Sequence, residues 1–314
     1  MDNIIDKILQ IKKQKNAIIL AHYYQDPEIQ DIADYVGDSL DLSRKAHQND
    51  YDEIYFCGVK FMAEVAKILS PNKRVFIPDS KAGCSLEESC PPALFKKFKE
   101  KHPNAITASY INCSAEIKSL SDIIVTSSNA KKIISQLPLD HEIIFAPDQH
   151  LGRYIAKETG RDMILWQGSC IVHEHFNEKE LVKLKTNHPS AMIIAHPECP
   201  QNLLNYADFI GSTSALLNYV KNSASNYFVV LTEHHIIHQM KKLRKNANFY
   251  DCPTINEAGC TLCNNCPYME LNNLEKLYDV MINGDNSEYG MELILEKNLL
   301  YKAKKPLIKM LEMS

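Results

Sequence analysis

The chain repeats itself three times, and this constrains its fold more than any other feature. The apolar runs "AIILAHYY" (17–24), "AITASYIN" (105–112) and "AMIIAHPE" (191–198) each end at polar residues. Aligned on His22, Tyr110 and His196, the copies lie 88 and 86 residues apart. Twelve residues on, each has an acid, Asp34, Asp122 or Asp208, followed by a second apolar run, and five beyond the acid come Ser39, Ser127 and Thr213. Third runs follow at "EIYFC", "EIIFA" and "YFVVL", and fourth runs at "RVFIP", "DMILW" and "NFYDC". Short apolar strands alternating with helix-length segments predict parallel sheets covered by helices. The repeat is too long for a solenoid, whose units span about 20 to 50 residues. The expected fold is α/β: three homologous three-layer αβα domains with parallel sheets, arranged around a pseudo-threefold axis. The expected boundaries are 1–100, 101–186 and 187–270, with a helical segment, 271–314, packing on the assembly.

Length alone, 314 residues, suggests roughly two domains of about 150, so the repeat overrides that prior. The start "MDNIIDKILQIKKQKN" has no apolar core or cleavage site of a leader, and no uncharged apolar run of about 20 residues occurs, so a cytoplasmic protein is expected. A net charge of −4 without a long basic stripe argues against nucleic acid and membrane as partners and points to a small molecule. In a reducing compartment the ten cysteines read as metal ligands, redox thiols or buried small residues rather than a disulfide framework.

In open parallel sheets ligands bind at the carboxyl ends of strands, where loops meet helix N-termini that favour anions. The repeated polar residues all fall there: His22 and Tyr24, Tyr110 and Asn112, His196 and Glu198 after the first strands, Ser39, Ser127 and Thr213 after the second. A hydroxyl at the second position can cap the next helix and share its free N–H groups with a carboxylate or phosphate. A single such serine reads as a cap; three converging on one axis read as a binding site. Cys84 and Cys170 lie just beyond the fourth strands of their copies, 86 residues apart, and the third copy supplies "GCTLCNNC" at the equivalent place. Register leaves open which of Cys260, Cys263 and Cys266 is the counterpart. Three thiolates converging in this way suit an iron–sulfur cluster or zinc. His173, three residues after Cys170, is a candidate for substrate contact. Cys57, Cys90, Cys113, Cys199 and Cys252 read as buried core residues, and the i and i+4 histidines of "HHIIH" (234–238), which such spacing could turn toward a metal, read as the solvated side of an amphipathic helix. There is no G-x-S-x-G, Walker loop or G-x-G-x-x-G.

Together the stretches "AHYYQDPEIQ", "GDSLDLSR", "SYINCSAEIK", "TSSNA", "WQGSCIVH", "AHPECP", "IGSTSALL" and "CPYM" resemble the motifs of the quinolinate synthase family, in order, across roughly residues 17–270. The resemblance implies a transferase that condenses iminoaspartate with dihydroxyacetone phosphate to quinolinate for NAD biosynthesis, releasing phosphate and two waters. It implies a [4Fe–4S] cluster held by Cys84, Cys170 and Cys266, with one open iron acting as Lewis acid. It assigns Tyr24 and Glu198 as the acid–base pair and gives substrate contacts to His22, Ser39, Tyr110, Asn112, Ser127, His196, Glu198 and Thr213. The enzyme that supplies iminoaspartate is a further partner it allows. The Cys-x-x-Cys-x-x-Cys run belongs to only part of the family; with Cys266 as ligand, Cys260 and Cys263 are left as a candidate redox pair. The alternatives are a structural zinc protein, using the three clustered cysteines and a histidine, and a redox-sensing iron–sulfur binding protein.

Overall fold

The computed structural model describes residues 2–48, 50–255, 261–262 and 264–314. Cys260 and Cys263, the candidate redox pair, lie outside them. Three parallel sheets are built from β1 (Ala17–His22), β2 (Tyr35–Gly37), β3 (Glu53–Cys57) and β4 (Arg74–Ile77); β5 (Ile106–Tyr110), β6 (Ile123–Val125), β7 (Ile143–Ala146) and β8 (Ile164–Leu165); and β9 (Met192–Ala195), β10 (Phe209–Ile210), β11 (Tyr227–Leu231) and β12 (Asn248–Asp251). Their strand orders are β2-β1-β3-β4, β6-β5-β7-β8 and β10-β9-β11-β12, so the three copies share one topology, second-first-third-fourth. Helices between the strands cover the sheets in three αβα layers.

The repeated acid has a repeated structural job. Asp34, Asp122 and Asp208 each accept the backbone N–H of a first-strand residue, Ile19, Thr107 and Ile193, at 2.8 Å. The backbone N–H of each acid returns a bond to the carbonyl of that same residue. This closed pair fixes where the second strand enters, so that His22 faces Gly37 and Tyr110 faces Val125 across the ladder. With strand register fixed, the carboxyl ends of β1, β5 and β9 deliver their polar residues from equivalent positions.

First-strand side chains are buried on both faces, which is why these runs are continuous apolar stretches. One core joins the first two sheets through the helix Lys60–Leu69, where Phe61, Val65 and Ile68 pack with Phe56 and Ile124. Each such side chain removed from water contributes about 1.5 to 3 kcal/mol. The third sheet has its own cores, around Val229 on one face and Phe228 on the other.

The C-terminal stretch departs from the helical expectation in one place. Met291–Glu292 forms an antiparallel edge strand on β4 before the helix Lys297–Met313 begins. The helix Leu274–Asn283 packs on the helix Asp2–Gln14, and Lys297–Met313 lies against the helices Lys60–Leu69 and Ala115–Leu120. Among the described residues no helix is long and apolar enough to cross a membrane.

Candidate functional site

The strand ends open onto one cavity, and His22, Tyr24, Ser39, Cys84, Tyr110, Asn112, Ser127, Cys170, His173, His196, Glu198, Thr213 and Cys266 all line it. The structure therefore brings together every described candidate named from the sequence. Asp38, Met62, Glu233 and Tyr268 also line it and were not among the candidates.

Two of the three first-strand ends share a local device. The Nδ1 atom of His22 accepts the backbone N–H of Tyr24 at 3.2 Å, and that of His196 accepts the N–H of Glu198 at 3.4 Å. Each neutral imidazole then carries its proton on Nε2 as a donor. Burial lowers both histidines to about 4, so they stay neutral at physiological pH. Glu198 is also buried, which opposes its ionisation, but the charge that His196 and His173 carry when protonated, together with the Tyr110 hydroxyl, outweighs this and holds it below the usual carboxylate range. The Tyr110 hydroxyl donates to Glu198 Oε1 at 2.5 Å. His173 Nδ1 lies 3.0 Å from Glu198 Oε2 but off the line of a hydrogen bond. Burial raises both Tyr24 and Tyr110 well above the ordinary phenol value, with Glu198 adding to the effect, so both are protonated donors at rest. The buried Oδ1 of Asn112, facing the same space, has no hydrogen-bond partner among the described residues.

The second-strand ends correct one expectation. Helix capping falls to the residue before the repeated hydroxyl: Asp38 accepts from Leu40 and Asp41, and Ser212 accepts from Ala215. Ser39 and Thr213 are then the first helical residues, and with Ser127, in the turn before the helix Ala130–Ser135, they line the cavity. Ser128 donates to Asp38 at 2.6 Å and Ser214 to Asp41 at 3.3 Å, tying the second and third copies to the first around this end.

Cys84, Cys170 and Cys266 each stand just before a short helical turn, and each sulfur is favoured as thiolate by the backbone N–H three residues on, that of Glu87, His173 or Met269. Burial opposes this and pushes all three thiols up, Cys266 to about 11, and Cys84 and Cys266 raise the Cys170 thiol further. Three neighbouring thiols that resist ionisation while their backbone dipoles favour it fit a bound cation, which deprotonates its sulfur ligands outright. Cys57, Cys90, Cys113, Cys199 and Cys252 are instead wholly buried in apolar surroundings, as expected. Soft sulfur donors from three separate units fit an iron–sulfur cluster. Ligand atoms of Cys170, His173 and Glu198 also lie within 4.8 Å of one another, a mixed donor group for a single ion.

Of the "HHIIH" histidines, the i and i+4 pair, His234 and His238, is partly exposed, and His235 between them is buried. His234 Nδ1 lies 2.5 Å from Asp251, and the buried His235 bridges Glu233 at 2.7 Å and Asp26 at 3.0 Å. Glu233 in turn accepts the backbone N–H of Cys266 at 3.2 Å, so this cluster braces the third cysteine.

Fold and site define a class: a three-sheet α/β protein whose strand ends enclose a cavity that histidine, tyrosine, hydroxyl and carboxylate side chains line beside a three-thiol candidate metal centre. The family described as Quinolinate synthetase A protein matches residues 6–312. The chain is 57% identical over 313 residues to quinolinate synthase of Trichodesmium erythraeum, covering 100% of this chain and 94% of that one. It is 56% identical to quinolinate synthase of Synechocystis sp. over 312 residues, 99% of this chain and 96% of the relative. The same identity holds over 307 residues with that of Nostoc sp., 98% and 92% of the two chains. The chain belongs to the quinolinate synthase family.

Proposed function

We propose that this protein condenses iminoaspartate with dihydroxyacetone phosphate to quinolinate, releasing phosphate and two waters, in NAD biosynthesis in the cytoplasm. The observation that carries this reading is the meeting of three thiols and the repeated strand-end residues in one cavity. Cys84, Cys170 and Cys266 would hold a [4Fe–4S] cluster, which when bound supplies Lewis acidity at the iron that three cysteines leave open. In this reading the repeats 1–100, 101–186 and 187–270 surround a pseudo-threefold axis through the cavity, with 271–314 packed outside.

The chain's own residues divide the remaining work. Ser39, Ser127 and Thr213, at or beside helix N-termini, suit the phosphate and carboxylates of the substrates. His22 and His196, neutral with Nε2–H donors, and Asn112 orient carbonyl and carboxylate oxygens without adding charge. Imine–enamine conversion, ketose isomerisation and two dehydrations each need a positioned acid or base. Tyr24 is the protonated phenol and Glu198 the ionised carboxylate available for them, with Tyr110 and His173 holding Glu198. The enzyme producing iminoaspartate is the expected supplying partner.

The test is anaerobic purification with iron and sulfide counts, then assay of quinolinate from the two substrates. Iron and sulfide near four per chain with turnover support the reading; turnover by iron-free protein rejects it. The group of Cys170, His173 and Glu198 supports a second reading, one zinc ion without a cluster, and zinc with no sulfide would favour it.

A further inference from the structure

Sequence register leaves Cys260, Cys263 and Cys266 as possible counterparts of Cys84 and Cys170, and contacts at the end of β11 single out Cys266. Asn264, only 2% exposed, donates from Nδ2 to the Thr232 carbonyl at 2.6 Å. Its own carbonyl accepts the His234 N–H at 3.4 Å. Two residues on, the Cys266 N–H donates to Glu233 Oε1 at 3.2 Å. The consecutive residues Thr232, Glu233 and His234 thus fix the backbone that leads into Cys266 and the backbone of Cys266 itself. The residues two before Cys263 and Cys260 are Thr261 and Ala258, which carry no side-chain amide, so neither alternative register reproduces the Asn264 bond.

Glu233 is itself held on both oxygens. It is fully buried, and His235 donates its backbone N–H to Oε2 at 2.8 Å and brings Nδ1 within 2.7 Å of Oε1. Asp26 of the first repeat, 3.0 Å from His235 Nε2, anchors the imidazole in turn. The other two cysteines are secured differently. The N–H of Ile171, next after Cys170, donates to Oγ of Ser85, next after Cys84, at 3.1 Å. Cys266 is followed by Pro267, which has no N–H for such a bond. The residues equivalent to Glu233 in the other repeats are Val59, which has no acceptor in its side chain, and Asp148, whose Oδ1 caps its own helix at Leu151. The carboxylate on a cysteine N–H is therefore a device of the third repeat, where the choice of cysteine has to be made.

We propose that Glu233 and Asn264 are positioning residues that select Cys266 as the third thiolate and set how firmly iron is held there. This rests on the reading of Cys84, Cys170 and Cys266 as cluster ligands, and the experiment separates the two. Glu233→Met keeps the length of the side chain and removes both acceptors, Glu233→Gln keeps one acceptor, and Asn264→Ala removes the amide. Each is prepared anaerobically as holoprotein and followed for iron and sulfide content and for the rate at which iron passes to a chelator. Glu233→Met and Asn264→Ala are expected to lose iron about 10- to 100-fold faster than the parent, and Glu233→Gln to stay within about threefold of it. Because the clamp acts through Cys266, Glu233→Met/Cys266→Ser is expected to lose iron no faster than Cys266→Ser, whereas Glu233→Met/Cys84→Ser loses it faster than either single variant. A general loosening of the fold would instead speed release in both backgrounds alike. If Glu233→Met does not fold, Asn264→Ala carries the same comparison. Parent-like release in Glu233→Met and Asn264→Ala overturns this inference alone, as do equal accelerations in Glu233→Gln and Glu233→Met or accelerations that multiply with Cys266→Ser. A parent protein that holds neither iron nor sulfide overturns the cluster reading and this inference with it.

Discussion

The Tyr110 hydroxyl donates to Glu198 across 2.5 Å, joining the first-strand end of the second repeat to that of the third. Both groups are buried, so this short O–H···O⁻ bond is one support of the ionised carboxylate, beside His196 and His173. Removing it in Tyr110→Phe raises the Glu198 pKa. If Glu198 acts as base, the acidic limb of the kcat/KM profile moves to higher pH, while Glu198→Gln loses about 10²- to 10⁴-fold at every pH. A Tyr110→Phe profile superimposable on the parent's rules out this support.

Stability should fall on both sides of neutrality for separate reasons. His22 and His196 sit at about 4 when folded because burial disfavours their charge, below the unfolded value of 6.5. Their contribution is present above about 6.5 and is lost as pH falls through 4, on the order of 3 kcal/mol each. His235 has the opposite sign. Burial lowers its pKa, but Asp26 and Glu233 outweigh this and raise it to about 10, so its contribution is present below about 6.5 and lost as pH rises through 10. Urea midpoints across pH 5 to 10 should form a dome, and Asp26→Asn should flatten only its alkaline side. An unchanged alkaline slope in that variant removes His235 as its cause.

The sequence exposes the part of the site that repeats. His22, Tyr110 and His196 stand at equivalent strand ends, and the acids twelve residues on mark a bond pair that recurs in all three sheets. Glu233 escapes because the carboxyl-end argument was applied to the first, second and fourth strands but not the third. Residues two past β3, β7 and β11 are Val59, Asp148 and Glu233, and their unlike chemistry hides the equivalence. The helix caps were displaced by one residue because Asp38 and Ser212 compete locally with Ser39 and Thr213, and short-range pattern does not separate neighbouring oxygens. The pairing of His235 with Asp26 spans most of the chain, and nothing in the local period of "HHIIH" encodes it.

Lys118 is fully buried between the first two repeats, where its Nζ bonds the Cys113 carbonyl and sits 5.3 Å above the Phe61 ring. It also favours ionisation of buried Glu64, whose Oε2 accepts the Ala115 N–H at 2.9 Å. Lys118→Met keeps most of the volume but leaves the buried Cys113 carbonyl without its donor and removes one of the two lysines, with Lys60, that favour ionisation of Glu64. Leaving a buried polar group unsatisfied costs about 1 to 3 kcal/mol. Lys118→Met/Glu64→Gln should recover part of that loss in urea denaturation, and a double variant no more stable than Lys118→Met excludes the pairing.

Replacing the cysteines one at a time should separate ligands from core residues by their readouts. Cys84, Cys170 and Cys266 line the cavity, each at the start of a helical turn supplied by a different repeat. No fourth described thiol stands beside them, since the other five are wholly buried in apolar cores. Cys84→Ser, Cys170→Ser and Cys266→Ser should each fold with near-parent urea midpoints once iron is removed, yet bind iron at least tenfold more weakly, as a hard hydroxyl replaces a soft thiolate. Cys113→Ala and Cys199→Ala should keep iron and lose about 1 kcal/mol of stability through lost packing. Iron and sulfide counts on anaerobically prepared variants decide it. Full iron in Cys266→Ser alone would move the third ligand to Cys260 or Cys263, whereas full iron in Cys84→Ser or Cys170→Ser would break the assignment of one thiolate to each repeat.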